Sequence, residues 1–292
     1  MPFWFMPFHL FNIQSMRKIA LLIAAFGFLL INLAACGNRR NAEGERPKVM
    51  VSIEPLRCLT EQIAGDYFQV ETMVPKGGSP ETYEPSPRQM MHLQESKVYL
   101  AVGDLGFEKT WLDKFKENAP DVSFVNTSGR QAANADPHVW TSYRRLIKMA
   151  GVICEALCDA DPEHQEYFKA NLKKTVSSLE TADQEVQREL QSVRQRAFLI
   201  YHPTLTYFAE DYGLMQIAIE NEGKEPSPQR LAELIEQCRK ENVGVIFIQE
   251  EFDRKNAELI ARETRTQLVS INPLAYDYDK ELRQIAKILS KQ

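Results

Sequence analysis

Asp161-Pro162-Glu163-His164-Gln165-Glu166-Tyr167-Phe168 opens the stretch that decides the architecture, because from Glu163 to Arg194 the chain contains neither Gly nor Pro. The composition there is rich in Glu, Gln, Lys, Leu and Ala, which are good helix formers. Asp161 followed by Pro162 reads as an N-cap and a first-turn proline. Roughly 33 helical residues at ~1.5 Å each would span about 50 Å, longer than one domain needs. The apolar positions are sparse and no heptad is sustained, which argues against a coiled coil. The stretch therefore predicts one rigid helix joining two lobes, with residues 48–160 before it, 161–194 within it and 195–292 after it.

On either side the sequence alternates strand-like and helix-like runs. The first lobe is predicted to place strands at 48–53, 68–74, 98–102 and 122–125, and helices at 55–64, 87–95, 107–117 and 141–157. The second is predicted to place strands at 197–201, 215–219, 245–248 and 267–271, and helices at 204–212, 228–241, 254–263 and 278–289. Ser227 with Pro228 again marks a capped helix start. Alternation of this kind predicts an α/β chain of two Rossmann-like lobes, each a parallel sheet flanked by helices.

The N-terminus gives a compartment. Met16-Arg17-Lys18 begins a basic region, residues 19–33 carry no charge, and Leu33-Ala34-Ala35-Cys36-Gly37 follows. These are the parts of a secretory signal. Cys36 after Leu-Ala-Ala resembles a bacterial lipobox, so residues 1–36 are expected to be a signal peptide whose true start is Met16, with Cys36 lipidated. Residues 37–47 are polar and read as a tether. The expected location is the cell envelope, on its periplasmic or other extracytoplasmic face, held to the membrane by lipid. The formal net charge is −5, and loss of Arg17 and Lys18 makes it two units more negative. That balance does not suit a nucleic-acid partner. Cys58, Cys154, Cys158 and Cys238 show no disulfide or zinc spacing, and Cys154 with Cys158 reads as a pair of buried thiols on one helix face.

In open parallel sheets, ligands bind beyond the carboxyl ends of strands, and neutral imidazole is the commonest transition-metal ligand. His138, in Asp136-Pro137-His138-Val139-Trp140, follows the fourth predicted strand, and His202 follows the fifth. Glu81 lies in the Gly77-Gly78-Ser79-Pro80-Glu81-Thr82-Tyr83-Glu84-Pro85 loop after the second strand, and Asn272 follows the eighth. Two come from each lobe, so a cleft would gather them. His92 and His164 sit on polar helical segments and read as solvated.

At these residues the chain resembles the cluster A-I solute-binding lipoproteins of zinc and manganese ABC importers. The resemblance runs from about Pro47 to the C-terminus. It rests on residues 78–87, 103–111 and 136–140, His202 with Tyr207-Phe208, Glu225-Pro226-Ser227, and Asn272-Pro273-Leu274. It implies a non-enzymatic carrier, acting as a monomer, that clamps a divalent metal between its lobes and delivers it to an ABC permease. The family pattern has a His where Glu81 stands and an Asp where Asn272 stands, while His138 and His202 match. One carboxylate is kept but has changed lobes. The implied metal ligands are thus Glu81, His138, His202 and Asn272, with Glu84 as a substitute donor. Two His and one carboxylate suit Zn²⁺ with water as a fourth ligand, and oxygen-richer donors would favour Mn²⁺ or Fe²⁺. The same donors also fit two other readings, a metal-dependent hydrolase with Glu84 as base and an adhesin or scaffold that has lost the metal.

Overall fold

Among the described residues, eight strands form two four-stranded sheets in which every pairing is parallel. The structure is a computed structural model, and it describes residues 46–129, 135–220 and 223–292. The signal peptide, Cys36 and nearly all of the tether lie outside the described residues.

The first sheet contains β1 (Lys48–Val51), β2 (Gln69–Thr72), β3 (Ser96–Ala101) and β4 (Ser123–Asn126) in the order β2-β1-β3-β4. The second contains β5 (Ala197–Ile200), β6 (Met215–Ala218), β7 (Val245–Gln249) and β8 (Gln267–Ile271) in the order β6-β5-β7-β8. The two orders are the same. Each sheet reverses its winding at its middle pair, β1/β3 and β5/β7, and such a switch point opens a crevice at the strands' carboxyl ends. The first sheet is flanked by α1 (Glu54–Ala64), α2 (Pro87–Gln94), α3 (Gly106–Asn118) and α4 (Tyr143–Ala160). After the long helix α5 (Gln165–Leu190) come α6 (Thr206–Tyr212), α7 (Pro228–Lys240), α8 (Lys255–Thr264) and α9 (Tyr278–Leu289). The expected helix starts are recognisable in their caps. The Ser227 hydroxyl accepts from the Arg230 N–H with Pro228 in the first turn, and Ser142 and Asp277 cap α4 and α9 in the same way.

The long helix is shorter than the sequence predicts. Residues Pro162–His164 form a 3₁₀ turn, and α5 itself has 26 residues, about 39 Å. Asp161 does not cap the backbone. Its carboxylate takes the His164 Nδ1–H at 2.6 Å. At the other end Val193 is buried and turns the chain off the helix axis, with its N–H bonded to Leu190 O. Phe168, Thr175, Leu179, Ala182, Val186 and Leu190 form the buried stripe of α5, which lies along α4 and touches both α1 and α9.

One apolar core runs unbroken from the first sheet into the second. Residues such as Val49, Leu100, Trp140, Leu179, Phe198, Ile200, Phe247 and Leu282 belong to it. The strand period of two sends alternate residues to opposite faces. Leu199, Ile246 and Ile248 accordingly pack with Leu234 and Ile260 in a second cluster under α7 and α8. Burial pushes the thiols of Cys58 and Cys238 up to about 11 and that of Cys154 up to about 12. All four described cysteines are free, Cys158 being half-buried. His92 and His164 are not simply solvated, since His92 Nδ1 lies 2.6 Å from Glu71 and the His164 ring packs against Tyr67.

Candidate metal centre

Glu81, His138 and His202 converge, with one potential ligand atom from each lying within 4.8 Å of the others. His138 Nε2 and His202 Nε2 are 3.2 Å apart, and Glu81 Oε1 is 4.0 Å from each. Bonds of 2.0–2.2 Å in a tetrahedral zinc site set neighbouring ligand atoms about 3.3–3.6 Å apart. The two nitrogens are already close to that spacing, and the carboxylate needs a shift of about half an ångström. The space between them holds about one water-sized body, a size that suits an ion.

Both imidazoles are aimed by carboxylates. Asp136 Oδ1 accepts from His138 Nδ1 at 2.6 Å and from the His138 backbone N–H at 2.9 Å. Glu220 Oε1 lies 2.5 Å from His202 Nδ1. An ionised carboxylate can only accept, so each Nδ1 carries the proton and each Nε2 presents its lone pair to the cavity. Such outer carboxylates fix the tautomer and raise ligand basicity. Burial works to raise the Asp136 pKa, but the hydrogen bond and charge of His138, the Thr206 hydroxyl and the His138 N–H together hold it below the usual carboxylate range. Tyr207 also donates its hydroxyl to Asp136 O at 2.8 Å. The neighbouring strand ties His202 down further: Gln249, at the end of β7, donates its amide to His202 O at 2.7 Å and to Thr204 Oγ1 at 3.1 Å.

Glu81 is set by a folded loop rather than by its own strand. The Glu81 N–H reaches Ser79 Oγ at 3.3 Å, and Phe107 N–H at the start of α3 donates to Pro80 O at 3.0 Å. Gly106 lets this contact happen. A Cβ there would meet Glu81 O at 2.4 Å, Oε2 at 2.8 Å and Cα at 2.9 Å, closer than real Cβ atoms approach. Trp140 closes the floor, with its indole N–H bonded to Pro273 O at 2.8 Å across the cleft.

Two expected residues are placed elsewhere. Asn272 Oδ1 accepts the Leu274 N–H at 3.1 Å, an Asx turn ahead of Pro273, and its side chain lines a neighbouring, larger cavity with Glu54 and Glu250. Glu84 is exposed and stands outside the converging group. The sequence reading missed two others. Glu220 follows β6, and Glu251 follows β7 and lines the cavity of the three donors. The strand-end rule that found His202 marks both positions. Glu251 is exposed and, like Glu84, stands outside the converging group; partial desolvation raises its pKa, offset in part by its own N–H and by His202.

The profile of the family described as zinc-uptake complex component A, periplasmic (ZnuA), matches residues 49–291. The chain belongs to this family. Zinc-binding lipoprotein AdcA of Streptococcus pneumoniae (strain ATCC BAA-255 / R6) is 28% identical over 283 residues, which cover 89% of this chain and 56% of AdcA. The chain thus spans little more than half the length of that relative. A crystal structure of ZnuA has a TM-score of 0.81 and 35% identity, covering 85% of this chain and 99% of its own. The Zn(II)-bound ZnuA-like domain of Streptococcus pneumoniae AdcA has a TM-score of 0.71 and 26% identity, covering 84% and 99%. The ZnuA family consists of metal-binding transport proteins and not enzymes, so the hydrolase reading is set aside. No helix among the described residues is long and apolar enough to cross a membrane.

Two effects follow from how this ZnuA-family site is built. Replacing Gly106 with alanine pushes Glu81 away from the histidines while leaving all three donors in the chain. Zinc affinity, read by chelator competition, is expected to fall roughly tenfold or more, as when groups that orient a ligand are lost. A parent-like dissociation constant would show that Glu81 is not held by this contact. Glu220→Gln removes the acceptor charge behind His202 and should weaken zinc by roughly 10–100-fold. Unchanged affinity would mean that Glu220 does not aim the ring.

Proposed function

We propose that this chain captures a divalent transition-metal ion outside the cytoplasm, zinc in preference to manganese or ferrous iron, and delivers it to an ABC permease. The convergence of Glu81 with the two opposed Nε2 atoms within 4.8 Å carries the reading. Glu81, His138 and His202 bind the ion directly. Two nitrogen donors and one oxygen match zinc's preferences better than those of manganese. The solved relative bound to Zn(II) supports the same cargo. The ligands fall in two lobes, residues 48–160 and 195–292, joined by the segment 161–194. Lipidation at Cys36 would hold this monomeric carrier at the membrane beside its permease.

The test is elemental analysis of the purified chain followed by competitive titration with Zn²⁺ and Mn²⁺ against a chelator at neutral pH. One zinc per chain, displaced poorly by manganese, is expected. Binding weakens in acid, because imidazole must be deprotonated to coordinate. A chain that takes up neither ion at micromolar concentration is not a carrier, and the metal-free adhesin reading would then stand.

A further inference from the structure

The three converging donors leave a tetrahedral ion one ligand short. Asn272, the polar residue after β8, has its Oδ1 committed to the Leu274 N–H. On the side of the second sheet the cavity is lined by His202, Thr204, Glu251, Phe252, Pro273 and Leu274, and Glu251 is the one carboxylate among them. Glu251 and Phe252 lie just beyond β7, as His202 lies just beyond β5, so they flank the β5/β7 switch point together.

The residues on both sides of Glu251 grip His202. Gln249 accepts the His202 N–H at 3.3 Å and donates to His202 O at 2.7 Å. The Phe252 ring stacks on the His202 ring at a centroid distance of 5.5 Å and an angle of 30°, and lies 4.9 Å from the Tyr201 ring. A turn closed by the Phe252 N–H on Gln249 O at 3.3 Å fixes the three residues. Glu251 is therefore carried on a short loop whose position is locked to one of the metal's own ligands. It also borders the larger neighbouring cavity with Glu54 and Glu250, so it stands, with Leu274, between that cavity and the three donors.

Resting on the carrier reading above, we propose that Glu251 is the fourth ligand, its carboxylate turning in from the wall to complete the coordination of the captured ion, and that Asn272 does not coordinate. The bound site carries two carboxylates and two imidazoles and is neutral with a divalent ion.

The experiment uses the full chain with Zn²⁺ for affinity and Co²⁺ for geometry. Zinc dissociation constants by chelator competition are compared for the parent, Glu251→Gln, Asn272→Ala and His138→Ala, with the melting temperature of each in excess chelator recorded as a fold control. Glu251→Gln should weaken zinc by roughly tenfold or more, comparable to losing a group from around a metal, and should change the visible absorption of bound Co²⁺. Asn272→Ala should leave both readouts as in the parent. If His138→Ala abolishes binding while Glu251→Gln has the parent's affinity and cobalt spectrum, the carrier reading stands and Glu251 is not a ligand. If Asn272→Ala causes the larger loss, the fourth ligand is Asn272 and the proposal is overturned. If His138→Ala also binds like the parent, the carrier reading itself has failed.

Discussion

Replacing His202 with alanine is expected to abolish the zinc-dependent rise in melting temperature. In the parent, zinc at ~100 times its dissociation constant adds roughly 2.7 kcal/mol to the folded state. For a chain of this size that is a rise of roughly 5–10 °C. His202 supplies one of the two facing nitrogens, 3.2 Å from the other, and alanine offers nothing in its place. The apo variant should also be less stable than the apo parent. Glu220 is 6% exposed, and losing the Nδ1–H leaves its Oε1 short of a donor, a cost of about 1–3 kcal/mol. The decisive quantity is therefore the difference between melting temperatures with zinc and with chelator for the same protein. A His202→Ala variant that keeps the full difference would show that His202 is not a ligand.

Trp140→Ala is expected to cost about 3–5 kcal/mol of folding stability, the usual range for a large aromatic side chain removed from a core. Trp140 is 1% exposed and belongs to the core shared by both sheets. The variant also leaves Pro273 O without its indole donor. Against a total stability of about 5–15 kcal/mol, this is a large fraction. Trp140→Phe keeps most of the packing and loses the N–H, so about 1–2 kcal/mol is expected. Urea unfolding would show both as shifts in midpoint at constant slope. Equal midpoints for the alanine and phenylalanine variants would mean that packing at this position contributes nothing.

Much of this molecule can be read before it is folded. The bounds of β8 and α9 match the sequence reading residue for residue, because Gln267–Ile271 and Tyr278–Leu289 have plain periodicities and clear ends. The long helix ends earlier than its composition predicts: no Gly or Pro marks its end, and the chain leaves it at Leu190, ahead of the buried Val193. His138 and His202 were legible because histidine is scarce here and both lie past strand ends. Glu81 was legible through resemblance more than physics, because it depends on the Gly106 contact, which no local pattern shows. Asn272 was drawn in by the same resemblance, and the Asx turn that occupies its oxygen is visible only in three dimensions. Glu220 escapes the sequence reading because a loop glutamate looks solvated by composition, and its bond to His202 is made from a different strand end.

The apolar core that passes without a break from the first sheet to the second also sets a timescale. Prising the halves apart by even ~200 Å² of apolar surface would cost about 5 kcal/mol. Breathing of that kind is rare, whereas rotation of an exposed side chain takes picoseconds to nanoseconds. On the proposed function, the residence time of a captured ion would be governed by side chains at the rim and not by a hinge. On that same reading, a partner that displaces a few rim side chains would shorten it while the rest of the fold stays intact.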